Sequence, residues 1–140
     1  MRTGIRILLS TAAAAALTLA GSAAASAESA STVWKWGSIH SSDHGARANG
    51  KVVAAQSGLE VRGTLYDNAR SGCGWVLLHY QSSTNGKWRA ANYWNCANGP
   101  GTFREKVGGV LQIKAKVCRG TSKRPTGRCS GWRTIYTQGG

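Results

Sequence analysis

Cys73, Cys96, Cys118 and Cys129 all fall in the second half of a 140-residue chain, and the residues midway between them indicate how they pair. An even number of cysteines in a small domain favours disulfides over free thiols. No two of them stand at C-x2-C spacing, and no histidine lies at ligand spacing from a cysteine, so a zinc site is not expected. Four cysteines admit three pairings. The midpoint of positions 73 and 96 falls between Thr84 and Asn85, inside the turn-forming run Ser82, Ser83, Thr84, Asn85, Gly86. The midpoint of 118 and 129 falls between Lys123 and Arg124, beside Pro125 and Gly127. Each pair therefore faces across its own hairpin. The expected bridges are Cys73–Cys96 and Cys118–Cys129, each worth about 2 to 4 kcal/mol through restriction of the unfolded chain.

Alternation of apolar and polar residues carries the same β reading along the rest of the chain. Leu59, Val61, Gly63 and Leu65 alternate with Glu60, Arg62, Thr64 and Tyr66, and Leu111, Ile113, Ala115 and Val117 alternate with Gln112, Lys114 and Lys116. Further β-rich runs cover residues 33–36, 46–55, 74–81, 87–95, 102–107 and 131–137, with Gly-, Asn- and Ser-rich connections between them. No sustained apolar pattern at helical spacing follows residue 27. The expectation is an all-β fold, a small antiparallel β-sandwich of about seven or eight strands, with a β-barrel as the alternative.

The N-terminus reads differently. Arg2 and Arg6 precede an apolar run from Ile7 to Ala20, and Ala25, Ser26 and Ala27 form a small-residue cleavage site. That is the pattern of a secretory signal peptide. The apolar run is shorter than the roughly 20 residues a spanning helix needs, so no membrane span is expected. Residues 1–27 are assigned to the signal, 28–32 to a flexible tail and 33–140 to one disulfide-stapled β domain. Loss of the signal lowers the net charge from +13 by two and leaves the exported domain strongly basic.

Two features are candidates for function. The first is tryptophan, present six times beside a single phenylalanine. If Cys73 faces Cys96, then Trp75 faces Trp94 and Gln81 faces Trp88, so one sheet face carries Trp75, Trp88 and Trp94 with His79 and Asn92. Indole faces stack on sugar rings or unstacked bases, which makes these three a candidate aromatic platform. The competing reading packs Trp75 and Trp94 over the disulfide inside the sandwich, and exposure of the two rings decides between them.

The second feature is charge. No acid follows Glu105, and the cations beyond it supply a candidate polyanion-binding set: Lys114, Lys116, Arg119, Lys123, Arg124, Arg128 and Arg133. Lys114 and Lys116 share one strand parity, and Lys123, Arg124 and Arg128 lie in the loop closed by Cys118 and Cys129. Wall polymer, polysaccharide and nucleic acid are all admissible anionic partners. The competing reading is a generally cationic surface without a dedicated ligand.

Enzymatic signatures are missing from the sequence. There is no G-x-S-x-G elbow, phosphate loop or dinucleotide fingerprint, so no catalytic residue, cofactor or metal is assigned. His40 and His44 flank Asp43 in a loop-like run. A small secreted hydrolase or nuclease would require His79 or His44 to meet Glu60 or Glu105 in space. A third reading treats Arg119 to Arg128 as a disulfide-braced protease-inhibitor loop, although Pro125 after Arg124 argues against cleavage at that bond.

The Ala-rich leader, the strand phrase Val61, Arg62, Gly63, Thr64, Leu65, and the phrases Val117, Cys118, Arg119 and Cys129, Ser130, Gly131, Trp132 resemble small exported proteins of actinomycetes, most of them uncharacterised. The resemblance implies export, disulfides and a small β-fold, and carries no activity onto this chain. Together these features lead to the expectation of a secreted, cationic, non-enzymatic protein that associates with anionic extracellular polymer.

Overall fold

A computed structural model describes residues 32–140; the signal segment and all of the expected tail but Thr32 lie outside the described residues. Nine strands follow in order: β1 (Val33–His40), β2 (Ala46–Ala55), β3 (Gly58–Asp67), β4 (Cys73–Ser82), β5 (Trp88–Asn95), β6 (Gly99–Gly108), β7 (Val110–Gly120), β8 (Pro125–Gly127) and β9 (Arg133–Thr137). They form two antiparallel sheets. One has the order β1-β2-β3-β6, the other β5-β4-β7-β8 with β9 also paired to β7. The sheets face each other as a sandwich and do not close into a barrel.

Strand periodicity sorts the side chains as the alternation implies. Val52, Val61 and Leu65 from the first sheet meet Val76, Leu78, Ile113, Ala115 and Val117 from the second, all 2% exposed or less. Burying each of the larger aliphatic side chains contributes about 1.5 to 3 kcal/mol. Aromatics close the two open sides of the core. Tyr93 of β5 stacks on Phe103 of β6 at 5.4 Å, and Trp34 of β1 meets Tyr136 of β9 edge-on at 4.9 Å.

Two glycines make room for this arrangement. Trp36, Gly50, Gly63 and Phe103 are successive partners across β1, β2, β3 and β6. A Cβ on Gly63 would lie 2.4 Å from the Phe103 ring, and one on Gly50 would lie 2.1 Å from the Arg62 carbonyl oxygen. Side chains at either position would collide with the ring or the neighbouring backbone.

Several strand boundaries differ from the sequence expectation. β1 runs past the 33–36 segment to His40, which therefore lies at a strand end and not in a loop, and β9 starts only at Arg133, leaving Trp132 between strands. β8 is a strand of three residues inside a Pro- and Gly-rich connection, held by pairing with Arg119 and Gly120. β6 starts at Gly99 and runs through Pro100, which lacks an N–H donor; β6 pairs only with β3, and an edge strand tolerates proline.

Both bridges form as the hairpin midpoints imply, Cys73–Cys96 and Cys118–Cys129, and no free cysteine occurs among the described residues. The sheets are also tied at one end by charge. Arg119 of β7 points inward and is 8% exposed. Its Nη1 donates to Asp67 Oδ1 at 2.7 Å and its Nη2 to the Ser71 carbonyl, while its Nε lies 3.8 Å from Asp43 Oδ2. Asp43 in turn accepts from Ser41 Oγ and the Gly45 N–H. Burial works against the charge on Asp43, but Ser41, Gly45 and Arg119 outweigh it and hold the carboxyl below its ordinary 3.8.

Candidate functional sites on the two outer faces

The outer face of the five-stranded sheet is built in four rows across β5, β4 and β7. The rows are Trp94, Trp75, Cys118; Asn92, Leu77, Lys116; Ala90, His79, Lys114; and Trp88, Gln81, Gln112. The register of the first hairpin is the one the Cys73–Cys96 bridge implies. Both disulfides lie on this face and pack against Trp75 in a small apolar cluster outside the main core.

The tryptophans of this face divide. Trp75 is 4% exposed, stacks on Trp94 at 5.1 Å with 26° between the ring planes, and donates its Nε1–H to the Thr121 carbonyl at 2.8 Å. It is therefore not an exposed platform residue, because the disulfides, Trp94 and the 121–129 segment cover it. Trp94 and Trp88 are 54% and 46% exposed. Trp132, which spacing alone did not place on this face, stacks on His79 at 4.2 Å and keeps 39% of its surface exposed. Lys114 and Lys116 lie over the Trp88 and Trp132 rings, each with Nζ 5.4 Å from the ring centre. Pairs of this kind contribute about 0.5 to 1 kcal/mol when exposed.

The C-terminal cations do not gather on one surface. Lys114 and Lys116 stay on the outer face, and Lys123 and Arg124 stand exposed at a turn closed by the Thr121 N–H and the Arg124 carbonyl. Arg128 is exposed at positive φ where the chain turns back toward Cys129. Arg133 is exposed beside β1, where it lines a groove with Lys35 and Ser38. Arg119 is removed from the polyanion set altogether. It shares inward parity with Val117, Ala115 and Ile113, and its donors are taken up by Asp67 and Ser71.

The outer face of the four-stranded sheet holds a cluster that reading along the chain missed. Lys35, Lys51, Arg62 and Arg104 are successive cross-strand partners on β1, β2, β3 and β6. They line a shallow groove of about 570 Å³ that Thr64 and Thr102 also border. Glu60, 5% exposed, contacts the Nε atoms of both Arg62 and Arg104. The hydrogen bond from Arg62 is the main influence holding the Glu60 carboxyl below its ordinary 4.5.

The groups that a hydrolytic site would require are used elsewhere. Glu60 is engaged by arginines, and Glu105 accepts from the Tyr80 and Tyr93 hydroxyls. Burial, reinforced by that carboxylate, raises both phenols above their usual range. His79 lies under Trp132, and His44 lies 5.3 Å from His40. Among the described residues no group of three or more His, Cys, Asp or Glu could hold a metal ion, and no helix is long and apolar enough to cross a membrane. No family model matches the chain, and no curated protein or solved structure shows significant similarity to it.

Proposed function

We propose that this is a secreted, non-enzymatic protein that binds an acidic polysaccharide along the outer face of β5, β4 and β7. The observation that carries the reading is the placement of Trp94, Trp88 and Trp132, all exposed, around Lys114 and Lys116 on one face, Trp132 through its contacts with His79 and Lys116. Trp88 and Trp94 share one strand six residues apart, so they stand about 20 Å from each other, room for several sugar rings. Trp94 offers the ring face turned away from Trp75, and Trp88 and Trp132 offer theirs when Lys114 and Lys116, which lie over them, swing out to pair with acidic substituents. Asn92 on the same rows supplies an amide for sugar hydroxyls, whereas the Gln81 amide is engaged by the Gly86 carbonyl and the Gln112 side chain.

Secretion is supported by the leader with its small-residue site at Ala25 to Ala27, and two disulfides suit an oxidising compartment.

The test is affinity electrophoresis of the mature protein in gels containing a polyuronate, a neutral glucan or no polymer, with a single-stranded oligonucleotide as competitor and with Trp94→Ala and Trp132→Ala beside the parent. Retardation by the polyuronate, lowered roughly tenfold or more in affinity by either substitution, is the expected result. Equal retardation of parent and variants would remove the aromatic face from the reading. Preference for a single-stranded oligonucleotide over the polyuronate would replace the sugar with a base as the stacked ring.

A further inference from the structure

We infer a second, independent binding site on the opposite side of the molecule, where the row Lys35, Lys51, Arg62 and Arg104 takes a linear phosphate-bearing polymer. Like charges directly opposed on neighbouring strands repel one another. Here four stand in one unbroken row, with Lys106 paired to Glu60 one row away. Glu60 is the only acid in these two rows, so the face keeps a large positive excess. An anionic ligand relieves that repulsion, and a ligand that binds only the folded chain stabilises it.

The geometry favours a polymer lying across the strands. Adjacent strands are about 4.8 Å apart, so the four cations are spread over roughly 15 Å in a nearly straight line. No aromatic ring belongs to this row, and Phe103, which also lines the groove, is 7% exposed, so charge and hydrogen bonding carry the recognition.

The free arginine forks accept either anion, and the second polar row beside them favours phosphate over carboxylate. Glu60 holds Arg62 and Arg104 by their Nε atoms, which leaves the terminal Nη groups of two partly exposed side chains for a ligand; the side chains are 41% and 64% exposed. Two residues further along the same strands, Thr64 and Thr102 form the next paired row, about 7 Å away. A tetrahedral phosphate between the rows can accept from the guanidinium forks and from the threonine hydroxyls together. A diester phosphate presents two non-bridging and two bridging oxygens in a tetrahedron, whereas a carboxylate presents two oxygens in one plane, so the phosphate can turn acceptors toward both rows. Glu60 is thus a positioning residue for the two arginines.

With a polysaccharide face on one sheet and a phosphate-polymer face on the other, one molecule would bridge two different polymers.

The experiment uses an abasic oligodeoxynucleotide, a phosphodiester chain without bases, and a polyuronate of similar length as competitor. Binding is followed by anisotropy across salt concentrations. Four neutralised phosphates give a log–log salt slope of about −3, and Lys35→Glu with Lys51→Glu should make it shallower by about 1.4. Affinity at low salt should fall roughly tenfold. The same number of charge reversals at Arg70 and Lys87, exposed and outside the row, should leave affinity within about threefold. Arg104→Gln, a milder change on a largely exposed side chain, should weaken binding in the same direction. Equal losses in the Arg70/Lys87 control would overturn the site as a localised one. Competition by the polyuronate as effective as that by the phosphodiester would overturn the choice of phosphate. Trp94→Ala should leave abasic binding unchanged, which separates failure here from failure of the aromatic face.

Discussion

On the outer face of the β5-β4-β7 sheet the lysines are interleaved with indole rings, whereas on the outer face of β1-β2-β3-β6 four cations stand side by side with no ring in their row. The supports differ as well. Both disulfides brace the aromatic face, where Trp75 is buried outside the main core and needs a cover. The cationic face has no covalent brace and relies on one nearly buried carboxylate, Glu60, to hold two guanidiniums in place. The same alternation of strand parity therefore produces two surfaces of unlike chemistry. An indole platform needs a rigid floor of packed side chains, while a row of charges needs only a flat sheet and a counter-charge beneath it.

Arg119 ties the two sheets together beneath these faces. It leaves β7 of the braced sheet and ends on Asp67 of β3 in the other. Arg119→Ala would leave Asp67, 1% exposed, without its cation, and removing one partner of a buried pair typically costs about 3 to 5 kcal/mol. Urea denaturation should record the loss as a lower midpoint, and Arg119→Met combined with Asp67→Leu should recover much of it. A single-variant loss below about 1 kcal/mol would show that the tie contributes little and that the sheets are held by the apolar core alone.

This pair also shows what reading along the chain could and could not provide. The bridges and the Trp75 to Trp94 register were legible, because two hairpins with clear turn residues make pairing a local question. Arg119 was grouped with the surface cations although its parity with Ile113, Ala115 and Val117 already placed it inward; a charge count ignores parity. The Lys35 to Arg104 row was not legible, since its four members come from four strands and become neighbours only once sheet order and register are known. Trp132 was missed for a related reason. It lies between strands, and nothing local to it specifies that its ring crosses to His79.

Removing the Cys118–Cys129 bridge should act on one face. Cys118→Ser with Cys129→Ser frees the 121–129 segment, and closing a loop of this size is worth about 3 kcal/mol. The Trp75 indole would lose part of its cover and its Thr121 acceptor, so tryptophan emission should shift to the red, and affinity for the acidic polysaccharide should fall. Phosphodiester binding by the folded fraction should persist, since no member of the cationic row contacts this loop through a hydrogen bond or ion pair. Parallel loss of both ligands in protein that remains folded would mean that the faces are not independent.

The smallest expected difference lies in acid. Glu60 has a folded-state pKa depressed from 4.5, with the Arg62 hydrogen bond first among the causes, burial opposing it, and Arg104 and Lys106 adding attraction. A depressed carboxyl contributes stability that is present above its unfolded pKa and is lost as pH falls through its folded pKa. Asp43 contributes with the same sign at the Arg119 end of the sandwich, below its ordinary 3.8. Glu60→Gln removes the first contribution and leaves the second. Its stability should therefore decline less steeply than the parent's as pH drops below about 4.5, while the Asp43 step persists. The aromatic rows hold no carboxylate, so the difference should trace to the cationic face alone. Identical acid profiles for the parent and Glu60→Gln would mean that Arg62 and Arg104 gain nothing from the carboxylate beneath them, and the four cations would then have to be oriented by their strands rather than by Glu60.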